Sequence, residues 1–92
     1  AYVKGISRPF GEEGIRICAV APGNILFDGS VWDEKLKTNS RAVNQMLKDE
    51  VPLNKLGSSD DVANLVLFLS SPVSNNITGS IFVSDGGQTK SL

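Results

Sequence analysis

Histidine is absent from this 92-residue sequence, and cysteine, methionine, tryptophan and tyrosine occur once each. A structural zinc site needs about four Cys or His ligands, so Cys18 by itself excludes one, and a lone cysteine forms no internal disulfide. Cys18 lies within an apolar run and reads as a small core residue rather than a nucleophile. No apolar stretch approaches the ~20 residues of a membrane-spanning helix. No signal peptide is visible, so a cytoplasmic chain with no membrane partner is expected. On that expectation Asn76-Ile77-Thr78 is a turn rather than a glycosylation site. Lys90-Ser91-Leu92 holds the letters of a peroxisomal tag in the wrong order. Charge of either sign is unconcentrated: nine Lys/Arg against ten Asp/Glu leave a net −1. There is no basic stripe of the kind that engages nucleic acid or an anionic membrane.

What is present is ordinary globular composition, 40% hydrophobic and 21% charged. A chain this short makes at most one small domain and buries only roughly 60% of its unfolded surface. It begins at Ala1, and its only methionine is Met46. A piece of a longer chain is the expectation.

Along the chain, Val3, Ile6 and Phe10 recur at helical spacing, predicting an amphipathic helix over 1–13 with Gly14 as its left-handed C′ residue. Pro9 inside it predicts a kink or early termination. Ile15 to Ala21 is a β-branched apolar run closed by Pro22-Gly23 and reads as a strand covered on both faces. Residues 31–38 and 40–50 fit short surface helices within a long, loop-like insertion. Ser58 opens a helix to about residue 70, with Asp61 in the capping-box place. Ser70-Ser71-Pro72 ends it, and residues 79–83 read as a strand closed by Asp85-Gly86-Gly87. Strand, helix, strand is the crossover unit of a parallel sheet. Two strands do not make a stable sheet, so further strands are required.

The order of these motifs resembles the C-terminal half of the short-chain dehydrogenase/reductase family. Gly14-Ile15-Arg16-Ile17-Cys18-Ala19-Val20-Ala21-Pro22-Gly23-Asn24-Ile25 is similar to that family's sixth strand and the Pro-Gly turn after it. Pro52-Leu53-Asn54-Lys55-Leu56-Gly57, leading into Asp60-Asp61-Val62-Ala63, resembles the approach to its last large helix. Ile77-Thr78-Gly79 through Val83-Ser84-Asp85-Gly86-Gly87 resembles its seventh strand. Cys18, Lys55 and Ser84 stand where the family often has Asn, Arg and Val, and Phe27 occupies the threonine place of its Pro-Gly-x-Ile-x-Thr pattern.

The resemblance implies an α/β fold: the C-terminal part of a Rossmann-like doubly wound parallel sheet, with residues 1–92 an incomplete portion of one dinucleotide-binding domain. It implies hydride transfer between NAD or NADP and a small alcohol or carbonyl substrate. Pro22, Gly23, Asn24 and Ile25 would border the nicotinamide, the backbone of Ile25 bonding its carboxamide. Ligands in open α/β sheets bind at the carboxyl ends of strands, where these residues fall. Pro22-Gly23 could also be a turn and nothing more. Residues 26–52 would be the substrate loop, with Leu26, Phe27 and Trp32 walling the pocket; Trp32 could equally pack the loop down.

No catalytic residue is assigned within the chain. The family's glycine-rich loop, catalytic serine and Tyr-x-x-x-Lys pair are missing; Ile6, not lysine, follows Tyr2 by four positions. In the intact enzyme that tyrosine, its pKa lowered by the lysine, would be the general acid/base. The apolar 58–70 helix and the 79–83 strand point to a homodimer or homotetramer. The other function class is a non-catalytic association module.

Overall fold

The computed structural model describes residues 2–90. Ala1, Ser91 and Leu92 lie outside the described residues, and with them the end of the C-terminal tripeptide. Helix α1 spans Tyr2–Glu12. Gly14 has φ +78°. The Gly14 amide donates to Gly11 O at 3.0 Å and the Ile15 amide to Phe10 O at 2.9 Å. This is the Schellman arrangement that a glycine at C′ permits. Contrary to expectation, Pro9 does not end the helix. Gly5, whose carbonyl loses its partner to the proline, is exposed, so water can satisfy it.

Strand β1 (Ala19–Pro22) and strand β4 (Ile81–Ser84) pair in parallel, in the register Ala19↔Ile81 to Pro22↔Ser84. The last α-helix before β4 is α3, Ser59–Ser70. Its capping box forms as expected: Ser58 Oγ accepts from the Asp61 amide at 3.2 Å, and Asp61 Oδ2 accepts from the Ser58 amide at 2.8 Å. A second parallel pair, β2 (Ile25–Leu26) with β3 (Gly57–Ser58), was not legible in the sequence. Strand β1 starts later than the apolar run predicts. Before it, the Ile17 amide donates to the Thr78 side chain at 2.9 Å, while the Ile17 carbonyl accepts from the Gly79 amide at 2.7 Å.

Helix α2, Val31–Glu50, is two helices joined at Asn39, where φ/ψ is −155°/67°. Ser30 caps the first, and Asn39 Oδ1 accepts from the Ala42 amide at 3.2 Å to cap the second. This is the division expected at residues 38–40. Val43, Leu47 and Val51 are buried, with Trp32, Leu36, Met46 and Leu56 packed around them.

Side chains alternate along the ribbon as strand geometry requires. Cys18 and Val20 face Val66 and Leu69 of α3. Ala21, Ile81 and Val83 face the other way, towards Val3 and Lys4 of α1. Each face therefore has one helix, the doubly wound arrangement. Both faces have a helix, as expected for the first strand, but coverage is thin: Ala21 and Pro22 are exposed, as are Ile81 and Val83 of β4. The radius of gyration is 16.2 Å, against about 12 Å for a compact domain of this length. The accessible surface is 6622 Å², against about 5,200 Å² for a folded monomer of the same mass. Apolar faces that a closed domain would bury stand open.

Candidate nicotinamide-side site

The three motifs read along the sequence meet at one end of the ribbon, beyond the carboxyl ends of β1 and β4. Gly23 donates its amide to Ser84 O at 2.9 Å, extending the ladder by one bond. A Cβ on Gly23 would sit 2.7 Å from Asp85 Cβ and 2.9 Å from Asp85 Cα. Glycine is thus required there by the approach of the neighbouring chain, whatever else occupies the turn. Asn24 Nδ2 donates to Gln88 Oε1 at 3.3 Å, and the Gly57 amide donates to Asn24 O at 2.9 Å. In a parallel ladder alternate residues bond a given neighbour. Ile25, paired with Gly57 in that register, consequently turns its own N–H and C=O to the edge away from β3.

Behind this end, a trough of about 640 Å³ runs along β4. Pro22, Gly23, Asp85 and Thr89 line one end, and Lys4 and Gly79 the other. It is open and mostly apolar, with Lys4 and Asp85 its charged side chains.

Asp85 organises the turn that follows β4. Its Oδ1 accepts from the Gly87 amide at 2.9 Å and its Oδ2 from the Thr89 amide at 2.8 Å. The Thr89 side chain, with the Thr89 and Gly87 amides, holds this carboxyl below the usual carboxylate range. Gly86 and Gly87 have φ of +67° and +92°, a region that L side chains rarely adopt. Side chains there would also strike Val51 Cγ1 at 2.8 Å and Pro52 Cγ at 3.0 Å. Leu53 donates to Gly86 O at 3.0 Å. The Asp-Gly-Gly turn therefore docks residues 51–53 against the site.

The expected substrate residues are not gathered into one wall. Leu26 is half-buried in the β2–β3 pair, and Phe27 is 55% exposed. Trp32 lines a separate cavity of about 340 Å³ between the two halves of α2, with Asn39, Val43 and Met46. Lys35 Nζ lies 4.6 Å from its ring centroid. The contacts of Trp32 are those of a residue packing the insertion onto itself. Cys18 is half-buried, its thiol donating to Ile77 O at 3.8 Å.

Sequence reasoning missed Arg16. Helix α3 has no basic residue in its last turn. Arg16 supplies that charge from before β1, donating to Leu69 O at 2.9 Å, Ile77 O at 3.1 Å and Ser74 Oγ at 3.3 Å. Ser74 is 2% exposed, and its hydroxyl also lies within bonding distance of Phe68 O and Leu69 O. The available signal was one arginine within an otherwise apolar strand-like run.

Parallel strands with a helix on each face, and loops converging at their carboxyl ends, define part of a Rossmann-like α/β sheet. Residues 1–89 match a family model described as enoyl-(acyl carrier protein) reductase. The chain belongs to the short-chain dehydrogenase/reductase family. It is 35% identical over 86 residues to an isoepoxydon dehydrogenase of Penicillium expansum, covering 94% of this chain and 33% of that protein. A short-chain oxidoreductase from Burkholderia thailandensis superposes with a TM-score of 0.82 at 33% identity, over 98% of this chain and 34% of that one. NADP-bound ElxO superposes at 0.79 with 32% identity, over 95% and 34%. A 4-hydroxyisoleucine dehydrogenase mutant complexed with NADH and succinate superposes at 0.80 with 32% identity, over 98% and 35%. The chain spans about a third of the length of the curated relatives it matches.

Proposed function

We propose that residues 1–92 are the C-terminal part of a single Rossmann-like domain in an NAD- or NADP-dependent oxidoreductase acting on a small alcohol or carbonyl compound. The observation that carries this reading is the convergence of residues 22–26, 52–58 and 84–88 at the carboxyl ends of two parallel strands, where ligands of open α/β sheets bind. Structural neighbours of this chain hold NADP or NADH. The open apolar faces are what a chain leaves when the rest of its domain lies elsewhere in a longer protein.

The residues present fit the nicotinamide half of such a cofactor. Pro22 and Gly23 form one rim of the trough, and Ile25 offers an amide and a carbonyl that β3 does not use. These two groups would hold a carboxamide, which both donates and accepts. When bound, the nicotinamide supplies the hydride donor or acceptor. Asn24, held by Gln88 and Gly57, fixes the backbone through which Ile25 reaches it. Residues 26–52 would form the substrate side, Leu26 and Phe27 nearest the turn, with Trp32 keeping the insertion folded. The proton-transferring tyrosine and lysine belong to the family's earlier helix segment, so this chain alone is inactive. The intact enzyme is a homodimer or homotetramer, a reading supported by Leu67 at 69% and Phe68 at 43% exposure on α3.

Supplying the full-length protein with NADH and NADPH across a panel of aldehydes and ketones tests the activity. Oxidation of one cofactor is expected. If neither is oxidised with any carbonyl, the reading is wrong.

A further inference from the structure

We infer that Asp85 is a positioning residue for the Pro22-Gly23-Asn24 turn, acting through the C-terminal segment 84–89 rather than by touching substrate or cofactor. The inference rests on the reading of residues 22–25 as the nicotinamide side. Three contacts tie that turn to the segment: the Gly23 amide on Ser84 O at 2.9 Å, Gly23 Cα against Asp85, and Asn24 Nδ2 on Gln88 Oε1 at 3.3 Å. None of the three is made by the Asp85 carboxylate. That group instead gathers the Gly87 and Thr89 amides, at 2.9 and 2.8 Å.

The consequence follows from chain geometry. Gly86 and Gly87 take left-handed conformations that leave their backbone poorly restrained by sterics. The Leu53 amide on Gly86 O at 3.0 Å and the longer Gln88 amide bond to Asp85 O at 3.3 Å hold the turn in part, and the two shorter bonds to the carboxylate complete the restraint that places Gln88 beside Asn24. Losing it frees Gln88 from Asn24 and loosens Ser84 against Gly23. Asn24 O is also the acceptor for Gly57, so the disturbance reaches the β2–β3 pair and the orientation of Ile25. A shift of about an ångström in a group that orients a reactant can cost on the order of a hundredfold in rate.

Asp85→Ala and Asp85→Asn in the full-length protein test this, with two readouts. The first is independent of any activity. Amide hydrogen exchange at Gly23 and Gly57 should quicken by about tenfold or more in Asp85→Ala, while exchange within α2 stays at the parent's rate. Asn retains one acceptor oxygen, so Asp85→Asn should fall between. Unchanged exchange at Gly23 in a folded Asp85→Ala overturns the inference, as does equal quickening throughout the chain, which would mark a merely structural role. The second readout is kinetic. Dissociation of NADH or NADPH, followed by nicotinamide fluorescence, should weaken by about tenfold in Asp85→Ala, with partial rescue in Asp85→Asn. If exchange responds but cofactor affinity does not, residues 22–25 are not the nicotinamide side and the proposed function loses its site. If the parent protein binds neither cofactor, the function fails while the exchange result still decides the role of Asp85 in the turn.

Discussion

Replacing Arg16 by alanine removes a basic group from the carboxyl end of α3, whose own last turn has none, and takes a charged donor from Leu69 O and Ile77 O, leaving them the weaker Ser74 hydroxyl and Cys18 thiol. Two bonds are well formed, to Leu69 O at 2.9 Å and Ile77 O at 3.1 Å, and two lie near the limit, to Ser74 Oγ at 3.3 Å and Ser71 O at 3.5 Å. A bond from a charged donor contributes about 1.5–3 kcal/mol. The two good ones set an upper figure of roughly 3–6 kcal/mol on that scale. Arg16 is half-buried, so water can reach part of what it leaves, and about 2–3 kcal/mol is the expected loss. In a domain of about 250 residues this lowers the Tm by roughly 4–12 °C. Arg16→Lys keeps the charge near the helix end but loses the planar fork, so it should recover less than half. Urea unfolding of the full-length protein, with thermal melts alongside, measures both. An Arg16→Ala variant within about 0.5 kcal/mol of the parent would refute the capping role.

Four further outcomes are expected. Asp33, Asp61 and Asp85 are held below the usual carboxylate range, Asp33 chiefly by the Gly29 amide and then Lys37, Asp61 by the Ser58 amide and side chain, and Asp85 by Thr89 and the Gly87 amide. Folded carboxyls of this kind bind fewer protons than unfolded ones, so their stabilisation is complete above about pH 4 and is lost as pH falls through the folded values. Denaturation curves from pH 6 to pH 2 should steepen on this acid limb, and the triple Asn variant should flatten it; an unchanged limb refutes the assignment. Gly86→Ala forces a side chain into φ +67° and against Val51 at 2.8 Å, at a cost of about 2–4 kcal/mol by urea unfolding. If α3 forms the proposed interface between subunits, Phe68→Glu should give smaller species by sedimentation, because a charge would be buried there without a partner. The isolated 92-residue chain should show no cooperative melt by circular dichroism, since two pairs of strands and open apolar faces make no self-sufficient core.

Local chemistry explains what was legible in advance. The Ser58–Asp61 capping box, the left-handed Gly14 and the division of α2 near residue 39 depend on neighbours within a few positions, so residue identity suffices to predict them. Parallel pairing of β1 and β4 followed from the strand, helix, strand order. Pro9 does not end α1, because the cost of an interior proline depends on whether water reaches the freed carbonyl of Gly5. The trimming of β1 to Ala19–Pro22 came from its neighbour: at Ile17 the Thr78 side chain replaces a backbone acceptor, and the regular register with β4 begins only at Ala19.

By itself, then, the sequence determined the α/β class, the order of the helices and of the two longer strands, and the family, because periodicity, caps and turn residues act at short range and three motifs stood in order. It also marked Pro22, Gly23, Asn24 and Ile25 as a turn at a strand end. Only the tertiary structure decided that Gly23 is small because Asp85 lies against it, that Arg16 closes a helix more than fifty residues away, and that Trp32 packs against the cluster of Val43, Leu47 and Val51. Each of those depends on which surfaces meet across the chain, and contact between distant segments is set by packing, which no local pattern of residues encodes.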